Sequence, residues 1–201
     1  MDRLAALTHG VAALYSRLVA AVEAALEPWL LGLLARLIFA AVLFGYYWNA
    51  ALTKIEPGLL GWLQVRDAAY WQMLPPVVEA YGYDVSAVPT LPWGLIVGLG
   101  TYAEFLLPVL IVAGLATRVA AAGMIAFVLV QSYVDIAFHG VDDATVGALF
   151  DRHPGSAIMD QRTLWVFLLA YLVVKGAGLV SLDALLRRRI GEARDATPAR
   201  A

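Results

Sequence analysis

Four segments of about 20 mostly apolar residues constrain this chain more than any other feature, because a helix needs about that length to cross a bilayer. Each segment is bounded by polar residues, glycine or proline. The four segments cover residues 29–48, 91–113, 119–138 and 163–180. They predict an all-α membrane protein built on a bundle of four transmembrane helices.

The composition excludes several other classes of protein. Of the 201 residues, 62% are hydrophobic and 15% are charged, whereas soluble domains carry about 45–50% and about 25%. The net charge of −2 gives no sign of nucleic-acid binding. The chain has no cysteine, which excludes disulfides, thiolate metal sites and iron–sulfur clusters. We predict no haem or flavin either, so a redox role would require a small molecule such as a quinone, or a partner subunit.

The two ends of the chain differ from the membrane domain, which we predict over residues 29–190. Residues 1–28 have apolar side chains at spacings of three and four, which predicts an amphipathic helix. This helix would lie on the membrane surface or pack on the bundle. Residues 191–201 are expected to be a disordered tail. The apolar positions of the helix are Leu4, Leu7, Val11, Leu14, Leu18, Val22 and Leu26.

The distribution of basic residues predicts the orientation in the membrane. Four spans place both termini on the same side, and lysine and arginine are enriched in cytoplasmic segments. The termini and the second loop contain eight basic residues, and the first and third loops contain four. Both termini are therefore predicted to be cytoplasmic.

The two outer loops are predicted to be ordered. The loop over residues 49–90 is rich in tryptophan and tyrosine and contains several prolines, whereas the loop over residues 139–162 is acidic. The aromatic side chains would form an interfacial belt or line the mouth of a lipid or quinone site.

Four charged residues lie inside predicted spans, where charges are expensive and usually functional or paired. They are Arg36, Glu104, Asp135 and Lys175. A rise of about 1.5 Å per residue places Arg36, Glu104 and Lys175 roughly 8–14 Å from the inner edge of the membrane. Three interpretations remain open. The residues could form a buried ion network, or they could bind a headgroup, an anion or a quinone carbonyl. The two basic side chains could also extend to the inner surface without a partner.

A second polar group follows the outer end of the third span. Gln131, Asp135 and His139 are spaced by four and share one helix face. Asn49 and Lys54, at the end of the first span, are expected at a similar height. This outer polar stripe would line a pocket, hold a metal or simply form a polar helix end, and we predict no metal site from it.

Several short motifs, taken in order, resemble the DoxX family of small four-helix membrane proteins. The resemblance covers roughly residues 30–185. The motifs are Arg36-Leu37, Phe44-Gly45 leading to Lys54, Glu104 followed by Leu106-Leu107, Gly114-Leu115-Ala116-Thr117-Arg118, Gly176-Ala177-Gly178, and Ser181-Leu182-Asp183. The long outer loops make the chain similar to the larger branch, which includes membrane subunits of thiosulfate:quinone oxidoreductase.

The resemblance implies a component of a quinone-linked oxidoreductase in a bacterial or archaeal inner or plasma membrane, acting with a protein partner. Arg36, Glu104 and Lys175 are the expected catalytic residues. The same three residues, with Arg118, Ser181 and Asp183, are the expected quinone- or headgroup-binding residues.

A second hypothesis is a non-catalytic membrane scaffold, or a lipid- or cation-binding protein, that assembles with a partner or with copies of itself. A transporter or channel is less well supported, because the sequence shows no inverted repeat or broken helix. Thiosulfate is disfavoured as an electron donor, because acidic residues outnumber basic ones in both outer loops.

Overall fold

The computed structural model describes residues 2–58 and 60–195, without the side chains of residues 2–8, 10, 11 and 193–195. Within these ranges the chain forms ten α-helices and shorter helical turns. The helices are α1 (Asp2–Leu26), α2 (Leu30–Phe39), α3 (Gly45–Leu52), α4 (Asp67–Met73), α5 (Pro75–Ala80), α6 (Leu95–Ala113), α7 (Thr117–Ala137), α8 (Asp143–Val146), α9 (Thr163–Lys175) and α10 (Leu182–Asp195).

Four continuous helical segments are long and apolar enough to cross a membrane. They are Leu30–Leu52, Thr90–Ala113, Thr117–Ala137 and Ala157–Lys175. The prediction of four spans in a multi-pass membrane protein is confirmed. The helical segments differ from the predicted bounds most at three ends, since the first continues past residue 48 to Leu52, and the fourth covers Ala157–Lys175 instead of residues 163–180.

The fourth span ends early because of its glycines. Gly176 has a φ of +82° and Gly178 a φ of +78°, a left-handed conformation that stops an α-helix. The chain then runs close to the first span, where a Cβ on Gly32 would lie 2.7 Å from the carbonyl carbon of Ala177. Small residues at these positions are therefore required for close contact between the two segments.

The core of the bundle lies between the four spans. A π-helical turn, Ala40–Phe44, joins α2 to α3 in the first span, and the buried side chains of Phe39, Leu43 and Tyr47 lie before, within and after it. The other fully buried core residues come from the remaining spans and are Ile111, Ala120, Ala121, Met124, Val128, Leu169 and Leu172. Many large apolar side chains on the same spans are exposed, as expected for surfaces that face lipid.

The segment between the first two spans folds back onto the bundle. It contains α4 and α5, and α4 contacts α6. Trp62 from this segment packs against Phe105, with 4.7 Å between ring centroids, and against Trp48 at 5.9 Å. At least one of its aromatic residues therefore packs on the spans.

The terminal helices lie at what we call the inner end of the bundle, which also contains residues 114–116 and 176–181. The described apolar side chains of α1, such as Leu14, Leu18 and Val22, are exposed, so its location on the membrane surface stays a prediction. Residues 191–195, which the sequence analysis assigned to a disordered tail, belong to α10, which continues to Asp195. Residues 196–201 lie outside the described part of the chain.

Candidate functional site

Arg36 is buried at the inner end, where backbone carbonyl groups surround its guanidinium group. Its Nε donates to the carbonyl oxygen of Ile111 at 3.0 Å, and Nη2 donates to that of Val112 at 2.6 Å. Its Nη1 donates to the carbonyl oxygens of Val180 at 2.6 Å and Ala177 at 3.4 Å. The first two acceptors are carbonyl groups of the last turn of α6, where the regular hydrogen bonds of a helix run out; the Ile111 oxygen also accepts from the Gly114 N–H. Arg36 thus joins the ends of two spans to the first.

Lys175 lies at the end of α9 and is half exposed. It forms an ion pair with Glu27, which is also half exposed. Because Lys175 is the last residue of the fourth span, it does not lie inside the bundle as the predicted span implied.

Glu104 is buried in the middle of α6 and pairs with Lys54. The Lys54 ammonium lies 2.7 Å from Oε2 and 3.0 Å from Oε1 of Glu104, and 3.1 Å from the carbonyl oxygen of Ala50. The side chains of Lys54 and Glu104 are only 6% and 7% exposed. Lys54 reaches Glu104 because the first span continues to Leu52.

The predicted cluster of Arg36, Glu104 and Lys175 does not form. Among the described residues, no hydrogen bond or ion pair joins any two of the three. Each has its own partners at a different place in the bundle.

Asp183 and Ser181 cap helices at the inner end. The Asp183 carboxylate accepts hydrogen bonds from the backbone N–H groups of Ala116 at 2.7 Å and Thr117 at 3.0 Å, at the start of α7. Burial raises the pKa of Asp183, but these hydrogen bonds outweigh burial and hold the pKa below its usual range. Ser181 accepts a hydrogen bond from the N–H of Ala184 in α10. Both residues therefore have structural partners.

A cavity of about 520 Å³ lies in the outer half of the bundle. The first three spans form its walls, and the end of α4 closes one side. It contains four of the five residues of the predicted outer polar stripe, together with Glu104. Its polar side chains are Tyr46, Tyr47, Lys54, Gln72, Glu104, Gln131, Tyr133, Asp135 and His139. Asn49 is the exception, since it is exposed and donates to the carbonyl oxygen of Gly45.

Gln131 connects two tyrosines in the wall of this cavity. Its Nε2 donates to the Tyr46 hydroxyl oxygen at 2.7 Å, and its Oε1 accepts from the Tyr47 hydroxyl at 3.3 Å. The sequence reasoning missed both tyrosines as candidate site residues. The signal available was their position, one helical turn before Asn49 and Ala50 on the first span.

Asp135 forms a second ion pair at the cavity wall. Arg162, at the start of the fourth span and only 8% exposed, donates to the Asp135 carboxylate at 2.5 Å and to the Ser132 hydroxyl oxygen at 3.0 Å. The sequence placed Arg162 in an outer loop. The Arg162 guanidinium group neutralises the charge of Asp135 and connects the third span to the fourth.

The outer side of the cavity is closed by α4. His139 Nε2 lies 2.9 Å from the carbonyl oxygen of Gln72, and the Gln72 side chain bonds to Thr53. Met73 fits against Gly100 of α6, where an added Cβ would lie 2.9 Å from the Met73 sulfur. The outer loop is therefore attached to all three spans that form the cavity.

In the part of the chain that the structure describes, no three histidine, aspartate or glutamate side chains are grouped as metal ligands. The chain matches no family model, no curated protein and no solved structure. The resemblance to the DoxX family therefore rests on the sequence motifs.

Proposed function

We propose that this protein is an integral membrane component of a quinone-linked oxidoreductase, and that the outer cavity holds the quinone ring. The observation that carries the proposal is the buried Lys54–Glu104 pair, which lies in the wall of a largely aromatic and aliphatic cavity between membrane-spanning helices. A buried ion pair contributes little net stability, whereas ionisable groups within a membrane usually serve a function.

The size and chemistry of the cavity fit a neutral aromatic ligand. Its volume of about 520 Å³ lies within the range of about 300–1,000 Å³ found for small-molecule sites. Phe127, Tyr133 and Phe138 supply ring surfaces. Both carboxylates at the cavity are paired, Glu104 with Lys54 and Asp135 with Arg162. With its charges neutralised in this way, the cavity is better suited to a neutral carbonyl compound than to an anion such as thiosulfate.

Two groups in the cavity wall could act on the carbonyl oxygens of a quinone. The three protons of the Lys54 ammonium have acceptors in both Glu104 carboxylate oxygens and the Ala50 carbonyl oxygen, so Lys54 acts on a ligand through its positive charge. The Tyr46 hydroxyl accepts from Gln131 and keeps its own proton available for a ligand. Reduction of a bound quinone to the quinol would take two electrons from the partner and two protons from the solvent. In this arrangement the Tyr46 hydroxyl orients one carbonyl oxygen by a hydrogen bond, and the Lys54 ammonium, held in place and kept charged by Glu104, attracts the negative charge that reduction would place on the ring oxygens.

The first test measures quinone bound to the full-length protein purified in mild detergent. The variant Ala126→Phe adds a ring at an exposed residue that lines the cavity, away from the ion pair, and should narrow access to it, whereas Tyr46→Phe removes one donor. The matched control is Asn49→Ala, which changes a polar residue of the same span outside the cavity. We expect extracts of the wild type and the control to contain quinone in stoichiometric amount by mass spectrometry. Ala126→Phe should lose at least about 90% of it, and Tyr46→Phe should bind a short-chain quinone about tenfold more weakly.

The result would contradict the proposal if Ala126→Phe, folded and abundant, kept its quinone, or if the wild type contained phospholipid alone. The second outcome would favour the non-catalytic scaffold or lipid-binding protein. Catalysis is measured separately, as quinone reduction in membranes that contain the partner. A wild type that binds quinone without reducing it would retain the site but exclude the enzymatic part of the proposal.

A further inference from the structure

A second cavity lies at the inner end of the bundle, on the opposite side of the membrane domain from the first. Its volume is about 320 Å³, and it lies between the start of α7 and one face of α10. It shares no lining residue with the outer cavity, so its function does not depend on the quinone proposal.

Two arginines that line this inner cavity have guanidinium N–H groups without an acceptor among the described residues. Arg118 forms no hydrogen bond or ion pair with any described residue, and Arg187 uses only its Nε, which donates to the carbonyl oxygen of Asp183 at 3.2 Å. Asp183 is the acidic residue of the cavity, and its carboxylate is occupied by the backbone N–H groups of α7. The cavity therefore presents two guanidinium groups, which are well suited to phosphate oxygens.

The edge of the cavity is apolar. Val119 is 76% exposed, and Leu186 and Ile190 are 47% and 60% exposed. Val119 lies near the start of α7, and Leu186 and Ile190 lie on α10. Acyl chains at the inner end of the bundle would cover these side chains. A ligand with a phosphate group and an attached hydrocarbon chain matches both parts of the cavity.

We infer that the inner cavity binds the phosphate group of an anionic phospholipid between Arg118 and Arg187, with an acyl chain over Val119, Leu186 and Ile190. Under the predicted orientation this cavity faces the cytoplasmic leaflet, where anionic lipids attract basic residues. The lipid would connect α7 to α10 and hold the terminal helix against the membrane domain.

The test compares two double variants of the full chain with equal loss of charge. Arg118→Gln with Arg187→Gln removes both proposed ligands. Arg188→Gln with Arg189→Gln removes two neighbouring arginines that do not line the cavity. Native mass spectrometry in detergent, with phosphatidylglycerol or phosphatidylcholine added, measures retention of each lipid.

We expect the wild type to retain phosphatidylglycerol in preference to phosphatidylcholine. The first double variant should bind phosphatidylglycerol about 25-fold more weakly, or about fivefold for each arginine, and the control should change by less than about twofold. Arg118→Lys, which keeps the charge, should retain most of the binding. Equal losses in the two double variants would overturn the inference, because they would show general attraction to charge. Displacement of the lipid by millimolar inorganic phosphate would also overturn it, because the cavity would then be a site for free anions.

Discussion

The inner and outer halves of the bundle each contain a buried basic residue, Arg36 on the first span and Lys54 two residues after it, but they satisfy its charge in different ways. Arg36 donates only to backbone carbonyl oxygens and fills the space between three spans. Lys54 binds a carboxylate and lies at the wall of a cavity. The first arrangement adds donors to backbone carbonyl groups at helix ends, and the second places a polar pair where a ligand could reach it. Burial of a charge in a membrane helix therefore does not by itself distinguish a structural residue from a site residue, whereas the identity of its partners does.

The strongest test of the comparison is Arg36→Met. Removal of the guanidinium leaves several buried carbonyl groups without a donor, and we expect a loss of about 4 kcal/mol in the free energy of unfolding. Most of the protein should then be lost from the monodisperse peak in size-exclusion chromatography. Arg36→Lys keeps the charge but cannot reach both helix ends, so an intermediate loss is expected. Wild-type stability of Arg36→Met would refute the structural role.

The Lys54–Glu104 ion pair should respond to substitution differently from Arg36. The partner of Lys54 is a side chain that a second substitution can remove, whereas the partners of Arg36 are backbone carbonyl groups. Glu104→Leu leaves Lys54 buried and unpaired, and we expect a loss of about 3 kcal/mol. The double variant Lys54→Met with Glu104→Leu removes both charges and should recover stability to within about 1 kcal/mol of wild type. Thermal unfolding in detergent, followed by circular dichroism, gives all three values. Failure of the double variant to recover would mean that the pair is needed for folding, as Arg36 is.

The cap at the inner end should give a pH-dependent effect of smaller size. Because the pKa of Asp183 is lowered in the folded protein, its contribution is present above the unfolded value of about 3.9 and is lost as the pH falls through the folded pKa. Asp183→Asn keeps one acceptor oxygen and should cost about 1 kcal/mol at neutral pH. Its stability should fall less steeply than that of the wild type below about pH 4. Parallel acid unfolding curves for the two proteins would contradict this prediction.

The smallest effect is expected for Lys175→Met. Its ion pair with Glu27 is half exposed, and solvent screens such pairs strongly. The melting temperature should be unchanged within error at neutral pH, and quinone binding should be unaffected. Lys54→Met is the matched comparison, since it makes the same change on a buried pair. A large fall in the melting temperature or in quinone binding of Lys175→Met would contradict this prediction and would support the intramembrane role that the sequence predicted for Lys175.

The sequence predicted the architecture well because every helix that crosses a bilayer must be apolar over about 20 consecutive residues. Four apolar stretches of the right length were sufficient to locate the spans, and four residues of the outer polar stripe, Lys54, Gln131, Asp135 and His139, line one cavity. The Arg36–Glu104–Lys175 cluster failed because depth was estimated from approximate helix ends. A few residues of error at the ends of two spans were enough to give Glu104 the wrong partner.

The sequence by itself determined that this chain crosses a membrane as four helices and that a few charged side chains must find partners within or near it. Only the tertiary structure decided which partners they found. The acceptors of Arg36 are backbone carbonyls, which carry no sequence signature. The Lys54–Glu104 pair depends on the rotation and ends of two helices. The two cavities arise where neighbouring helices and loops leave space between them, a property of packing that no single segment encodes.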